Sequence, residues 1–180
     1  MHSSAAPATG RRQRTHTHGM NETTTLTARF LAAIPRIVGY RPQNELLLLI
    51  ASPTEPLAVI SEPLDGDVPV GLMYTGTLEL IREVQAVPEA RIVHLVVFSE
   101  QPYRQAAGLP HTYLVDVLAD ALTDAHLLVS ALCVARDGWG GYFCRGSCCP
   151  KGGNALQLID FSAPSRAFGR FTPLTRDGER

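Results

Sequence analysis

The chain has 180 residues, of which 45% are apolar and 18% charged, and its formal net charge is −1. A chain of this size buries roughly 70% of the surface its unfolded form exposes, so one soluble domain with a real core is expected and intrinsic disorder is excluded for most of its length. No apolar run approaches the ~20 residues that cross a bilayer, so no membrane span and no membrane partner are expected.

The charge is unevenly shared: residues 1–20 carry +3, residues 21–135 carry −7 and residues 136–180 carry +3. Any attraction for an anion must therefore be local. Fifteen of the sixteen basic residues are Arg, a bias that suits carboxylate and phosphate forks and that a GC-rich genome also produces.

Residues 1–20 show no apolar periodicity and cannot repay the entropy of ordering, which predicts a disordered tail. A signal peptide needs an apolar stretch of ~7–15 residues after its basic start. Here Arg11, Arg12 and Arg14 lead into Thr-His-Thr-His instead, so secretion is not supported and a cytoplasmic location is expected. Met20 opens a segment that looks like a natural start, which makes residues 1–19 either a vector remnant or a misassigned beginning.

The body, residues 21–161, begins with Leu26, Phe30, Ile34, Ile37 and Val38 at helical spacing after a Thr-rich start, predicting a helix over 25–38. Pro35 should kink or restart it, and Gly39 is placed to end it in the left-handed conformation. Residues 45–51 form an apolar run suited to a strand buried on both faces, and residues 57–61 a second strand in a hairpin with it. A helix over 71–86, a strand over 91–99, a helix carrying Tyr113, Leu114, Val117, Leu118, Ala121 and Leu122 on one face, and a strand over 127–135 follow. Asp137-Gly138 signals a tight hairpin turn into a short fifth strand from Trp139 to Cys144. This order predicts an α/β fold: a single domain with a mixed sheet of about five strands, flanking helices and a C-terminal cysteine loop. Residues 162–180 are expected to form a C-terminal extension that drapes over the domain or frays.

All four cysteines lie between residues 133 and 149, three of them as Cys144, Cys148 and Cys149. A zinc ion needs four ligands about 2.3 Å away, and a Gly-containing loop after a hairpin lets the backbone wrap around one. If Asp137-Gly138 is a two-residue turn, Cys133 faces Tyr142 and forms a diagonal pair with Cys144 on one sheet face, about 7–8 Å apart; a three-residue turn would send Cys144 to the other face. Cys133, Cys144, Cys148 and Cys149 are thus candidate metal ligands, with His126 and His94 in reserve. Two other readings stay open: reduced structural or redox-active thiols, and a nucleophilic cysteine, which needs a lowered pKa and a base to activate it.

Other features carry less. Trp139, Tyr142 and Phe143 beside Arg136, Arg145 and Lys151 could stack single-stranded nucleic acid, but alternation sends Tyr142 to the opposite face from the other two, so nucleic acid is disfavoured. Lys151-Gly152-Gly153-Asn154 lacks the phosphate-loop arrangement. Asp116, Asp120 and Asp124 share a helix face and read as solvated acids. Ser99 and Glu100 close the third strand and form a pocket rim, because ligands collect beyond the carboxyl ends of parallel strands. His94 lies near them, but no Gly-x-Ser-x-Gly elbow is present.

Three stretches resemble the uncharacterised domain-of-unknown-function family numbered 4192: Phe30 to Pro42 leading into the 46–50 strand, Val93 to Phe98, and Arg136-Asp137-Gly138 through Cys148-Cys149-Pro150-Lys151-Gly152. The resemblance implies a cytoplasmic protein of actinobacteria or their phages and supplies no activity. The sequence therefore predicts a binding module whose cysteine loop is a structural, zinc-holding element, taking a protein partner or a small ligand. The alternatives are a cysteine-dependent enzyme using a thiolate of the same loop and a protein-interaction module without metal. Neither enzymatic activity nor oligomeric state is specified by these residues.

Overall fold

The first helix, α1 (Glu22–Val38), buries Ala28, Leu31, Ala32 and Ile34 and leaves Leu26 in solvent. The computed structural model in which it is seen describes residues 22–64, 70–105, 108–144, 150–162 and 172–173. Pro35 neither breaks nor restarts α1. It lies in the last turn, where its missing N–H costs a single intrahelical bond. Gly39 ends the helix as expected, at φ 87° with its N–H donating to the Pro35 carbonyl over 3.0 Å. The disordered tail expected over 1–20 lies outside the described residues. So does all of the 162–180 extension except Ser162, Thr172 and Pro173.

The chain continues through β1 (Glu45–Ala51), β2 (Pro56–Pro63), α2 (Val70–Gln85), β3 (Ile92–Phe98), α3 (Thr112–Asp124), β4 (Leu128–Val134) and β5 (Trp139–Gly141). A 3-10 turn, Leu156–Leu158, and a two-residue strand, β6 (Thr172–Pro173), complete the described elements. The α/β class and the mixed five-strand sheet match the sequence reading, with β6 added at one edge. Sheet order is β5-β4-β3-β1-β2-β6. β1 runs antiparallel to both its neighbours, β2 and β3, whereas β3 and β4 are parallel and joined through α3.

Burial of β1 on both faces follows from this central place. Leu46, Leu48 and Ile50 meet Leu80 and Val84 of α2 and Val115, Leu118 and Leu122 of α3 in one core. Leu47 and Leu49 meet Leu31 and Ile34 of α1 in the other. The period-two alternation of a strand thus divides one leucine-rich run between two cores. Burying such a side chain contributes about 1.5–3 kcal/mol.

The β4–β5 hairpin corrects one expectation. Val134 pairs with Trp139 and Cys133 with Gly140, so four residues separate the paired positions instead of two, and Cys133 does not face Tyr142. The tip is not free-standing. The Asp137 carboxylate accepts the Tyr103 N–H (2.7 Å), the Arg136 N–H donates to the Gln101 carbonyl (3.1 Å), and Trp139 exchanges two backbone hydrogen bonds with Asn154. Gly138 is pressed against the same segment, since a Cβ there would stand 2.7 Å from the Gly152 carbonyl oxygen. Tertiary contacts of this kind override the local turn preference, and β5 ends at Gly141 instead of reaching Cys144.

Candidate functional site

The cysteines are placed in unlike surroundings. Cys133 sits in β4 with no exposed surface, packed with Tyr103, Ala135, Leu109 and Tyr142. Burial pushes its thiol up to about 12. At neutral pH it is a thiol and no nucleophile. Cys144 is joined in a disulfide, and Cys148 and Cys149 lie outside the described residues. No three His, Cys, Asp or Glu side chains among the described residues are grouped to hold a metal ion. Of the reserve ligands, His126 is exposed at the α3–β4 junction, and His94 is turned to Ser130, with Nδ1 and Oγ 2.7 Å apart.

That His94–Ser130 contact joins parallel strands on the α1 face of the sheet, with the Phe30 ring 5.0 Å from the imidazole. Burial lowers the His94 pKa, so the ring is neutral at pH 7. Ser99 is not its partner. The aromatic trio is also dispersed: Trp139 is sealed in the core with its indole N–H on the Ala155 carbonyl, the Tyr142 hydroxyl donates to the Pro110 carbonyl, and Phe143 is exposed. Asp116, Asp120 and Asp124 are exposed, as expected of a solvated face.

A cavity of about 520 Å³ opens where β3 and β4 end, against the start of β1. Ser99 and Glu100, expected as a pocket rim, do line it, together with Phe98 and the hairpin residues Val134, Ala135 and Arg136. The loop entering β1 supplies Arg41, Pro42, Gln43 and Asn44, and the segment after β5 supplies Leu156 and Phe161. The volume falls within the range of small-molecule sites, about 300–1,000 Å³.

Each wall is fixed from behind. Ser99 is 7% exposed; its N–H donates to the Val134 carbonyl (2.9 Å) and its Oγ accepts the Gln101 N–H (3.2 Å). The Arg41 guanidinium lies 5.2 Å from the centre of the Phe161 ring, a cation–π arrangement. Behind Arg41 stands Glu45, buried at the start of β1, whose carboxylate accepts the Tyr40 hydroxyl (2.6 Å), the Ser61 hydroxyl (2.5 Å) and the Gln43 N–H (3.0 Å). Burial and the neighbouring carboxylate raise the Tyr40 pKa, which keeps its phenol protonated as a donor. Asn44, at φ 46°, turns the chain into β1 and donates its side-chain amide to the Leu64 carbonyl.

Sequence reasoning found Ser99 and Glu100 because strand ends are legible. It missed Arg41 as a wall residue, since only the antiparallel pairing of β1 with β3 brings the entrance of one strand beside the exit of the other. The Gly39-Tyr40-Arg41-Pro42 turn was the available signal.

Residues 28–170 match the model of a family described as a domain of unknown function, DUF4192. No curated protein and no solved structure matches the chain.

Proposed function

Since the chain belongs to the DUF4192 family, a domain of unknown function, we propose its role from its own geometry: a binding module that takes a small organic ligand in the cavity beyond the carboxyl ends of β3 and β4. The observation that carries this reading is the cavity itself, where the apolar side chains of Phe98, Val134, Leu156 and Phe161 stand beside polar ones from Arg41, Ser99, Glu100 and Arg136. Largely apolar pockets with a few placed polar groups are the usual form of a ligand site, and strand carboxyl ends are their usual place in an open sheet.

In this reading the cysteine segment is structural, and neither Cys133 nor Cys144 lines the cavity. Metal analysis of reduced protein tests the zinc alternative, one zinc per chain supporting thiolate ligation by Cys144, Cys148 and Cys149 and none removing it, and a thiol count on unreduced protein tests the bridge at Cys144.

The binding reading is tested by titrating the full chain with a library of small organic fragments and following backbone amide signals. Ligands should shift Asn44, Ser99, Glu100 and Arg136 together, and Leu156→Trp, which puts a larger ring into the opening, should abolish those shifts while the remaining spectrum persists. Fragments that gather elsewhere, or that still shift these residues in the variant, overturn it.

A further inference from the structure

The charged groups around the cavity are not evenly matched. Arg41 and Arg136 both line it, from segments far apart in sequence, and Glu100 is the single acid on the wall. Among the described residues neither guanidinium has an ion pair, and the contact recorded for Arg41 is the Phe161 ring. The Ser99 hydroxyl oxygen accepts a backbone N–H, but its own proton is not committed to any described acceptor. The cavity thus offers two guanidiniums without an ion pair among the described residues and a buried hydroxyl donor beside an apolar floor of Phe98 and Val134.

Donors in such excess select an acceptor. A guanidinium presents its N–H groups in a fork that matches carboxylate and phosphate oxygens. The Phe161 ring restricts Arg41 to one side of the opening, and the anchored hairpin tip holds the Arg136 backbone at the other, which lowers the entropy lost on binding. Arg is also the basic residue that stacks on aromatic rings without losing its donors.

We infer that the cavity binds an organic anion, with a carboxylate or phosphate held between Arg41 and Arg136 and an apolar, ring-sized body laid against Phe98, Val134 and Phe161. This rests on the binding reading above and adds the ligand's chemical class. The Ser99 hydroxyl donates to a further oxygen of the same group, and Glu100 disfavours ligands carrying a second negative charge on their distal side.

Three probes test it on the full chain: benzoate and phenyl phosphate, which distinguish the two anionic head groups, and benzyl alcohol as a neutral body of similar shape. Titration followed by amide shifts at Ser99, Glu100 and Arg136 should rank at least one anion about tenfold or more above the alcohol. Arg41→Gln and Arg136→Gln should each remove part of that preference, about threefold, and the double variant should bring the anion down to the alcohol, with unchanged circular dichroism and benzyl alcohol binding showing that fold and cavity persist. Added salt should weaken the anion and leave the alcohol unaffected. If benzyl alcohol binds the cavity as tightly as the better of the two anions, or the double variant keeps the preference, the charge assignment falls and the cavity reading stands. Silence from all three probes at these residues overturns both.

Discussion

The two faces of the sheet are covered unequally. One face carries two helices, and its core of Leu46, Leu48, Leu95, Val97, Leu118 and Leu122 is closed to solvent. The other carries one helix among the described residues, α1, with Leu156, Ile159 and Phe161 from the segment after β5 packed beside it. Over β1 and β3 that single helix suffices, but along β4 Leu128 is 70% exposed and Ser130 and Leu132 are half-buried. The His94–Ser130 contact, the buried Glu45 carboxylate and the Phe98 and Val134 walls of the cavity all belong to this second face. One helix cannot cover a five-strand sheet, and the remaining area is where polar groups can be kept without a full desolvation cost. Both faces hold fully buried side chains, Leu95 and Leu118 on one and Leu31 and Leu49 on the other, but the buried polar groups and the cavity walls lie on the second.

The largest expected effect separates the faces directly. Leu95→Ala should cost about 2–5 kcal/mol in denaturant unfolding, as buried leucines do, whereas Leu128→Ala should stay within about 0.5 kcal/mol. Equal costs would remove the asymmetry. Glu45→Ala tests how firmly the open face is built: the Gln43 N–H loses its acceptor and the Tyr40 and Ser61 hydroxyls keep only each other, so a loss of about 1–3 kcal/mol is expected. Because the same loop carries Arg41, benzoate or phenyl phosphate binding should weaken in parallel. A variant that loses stability but binds unchanged would disconnect Glu45 from the cavity.

The smallest effect concerns pH. Burial lowers the pKa of His94 and of His111, whose Nε2 is buried without a partner. Both are therefore neutral in the fold at a pH where the unfolded chain, with its histidines near 6.5, already takes up protons. Their contribution is complete above about pH 6.5 and is lost as pH falls through the lowered folded values. Unfolding midpoints measured from pH 7.5 to pH 5 should fall, and His94→Asn should flatten part of the slope. An unchanged slope would assign the sensitivity to His111.

The α/β class and the existence of the main elements were legible in the residues, because each rests on local periodicity: the 45–51 run, the helical spacing of Leu26 to Val38 and the Gly39 stop are short-range signals. The Ser99–Glu100 rim was legible for the same reason. The hairpin at Asp137-Gly138 was legible as a turn but not in its length: neither a two- nor a three-residue turn forms, since Tyr103, Gln101 and Asn154, which lie outside it, hold the tip. The cysteines drew attention by their spacing along the chain, but spacing does not report that Cys133 is sealed in β4 while Cys144 is bonded elsewhere.

Sequence by itself determined which segments become helices and strands and which of their faces are apolar, because those depend on neighbours one turn or one pleat away. Only the tertiary structure decided that β1 lies between β2 and β3 and runs antiparallel to both. That pairing carries Arg41 to the end of the sheet where Arg136 and Ser99 stand, and no interaction within any single segment encodes it.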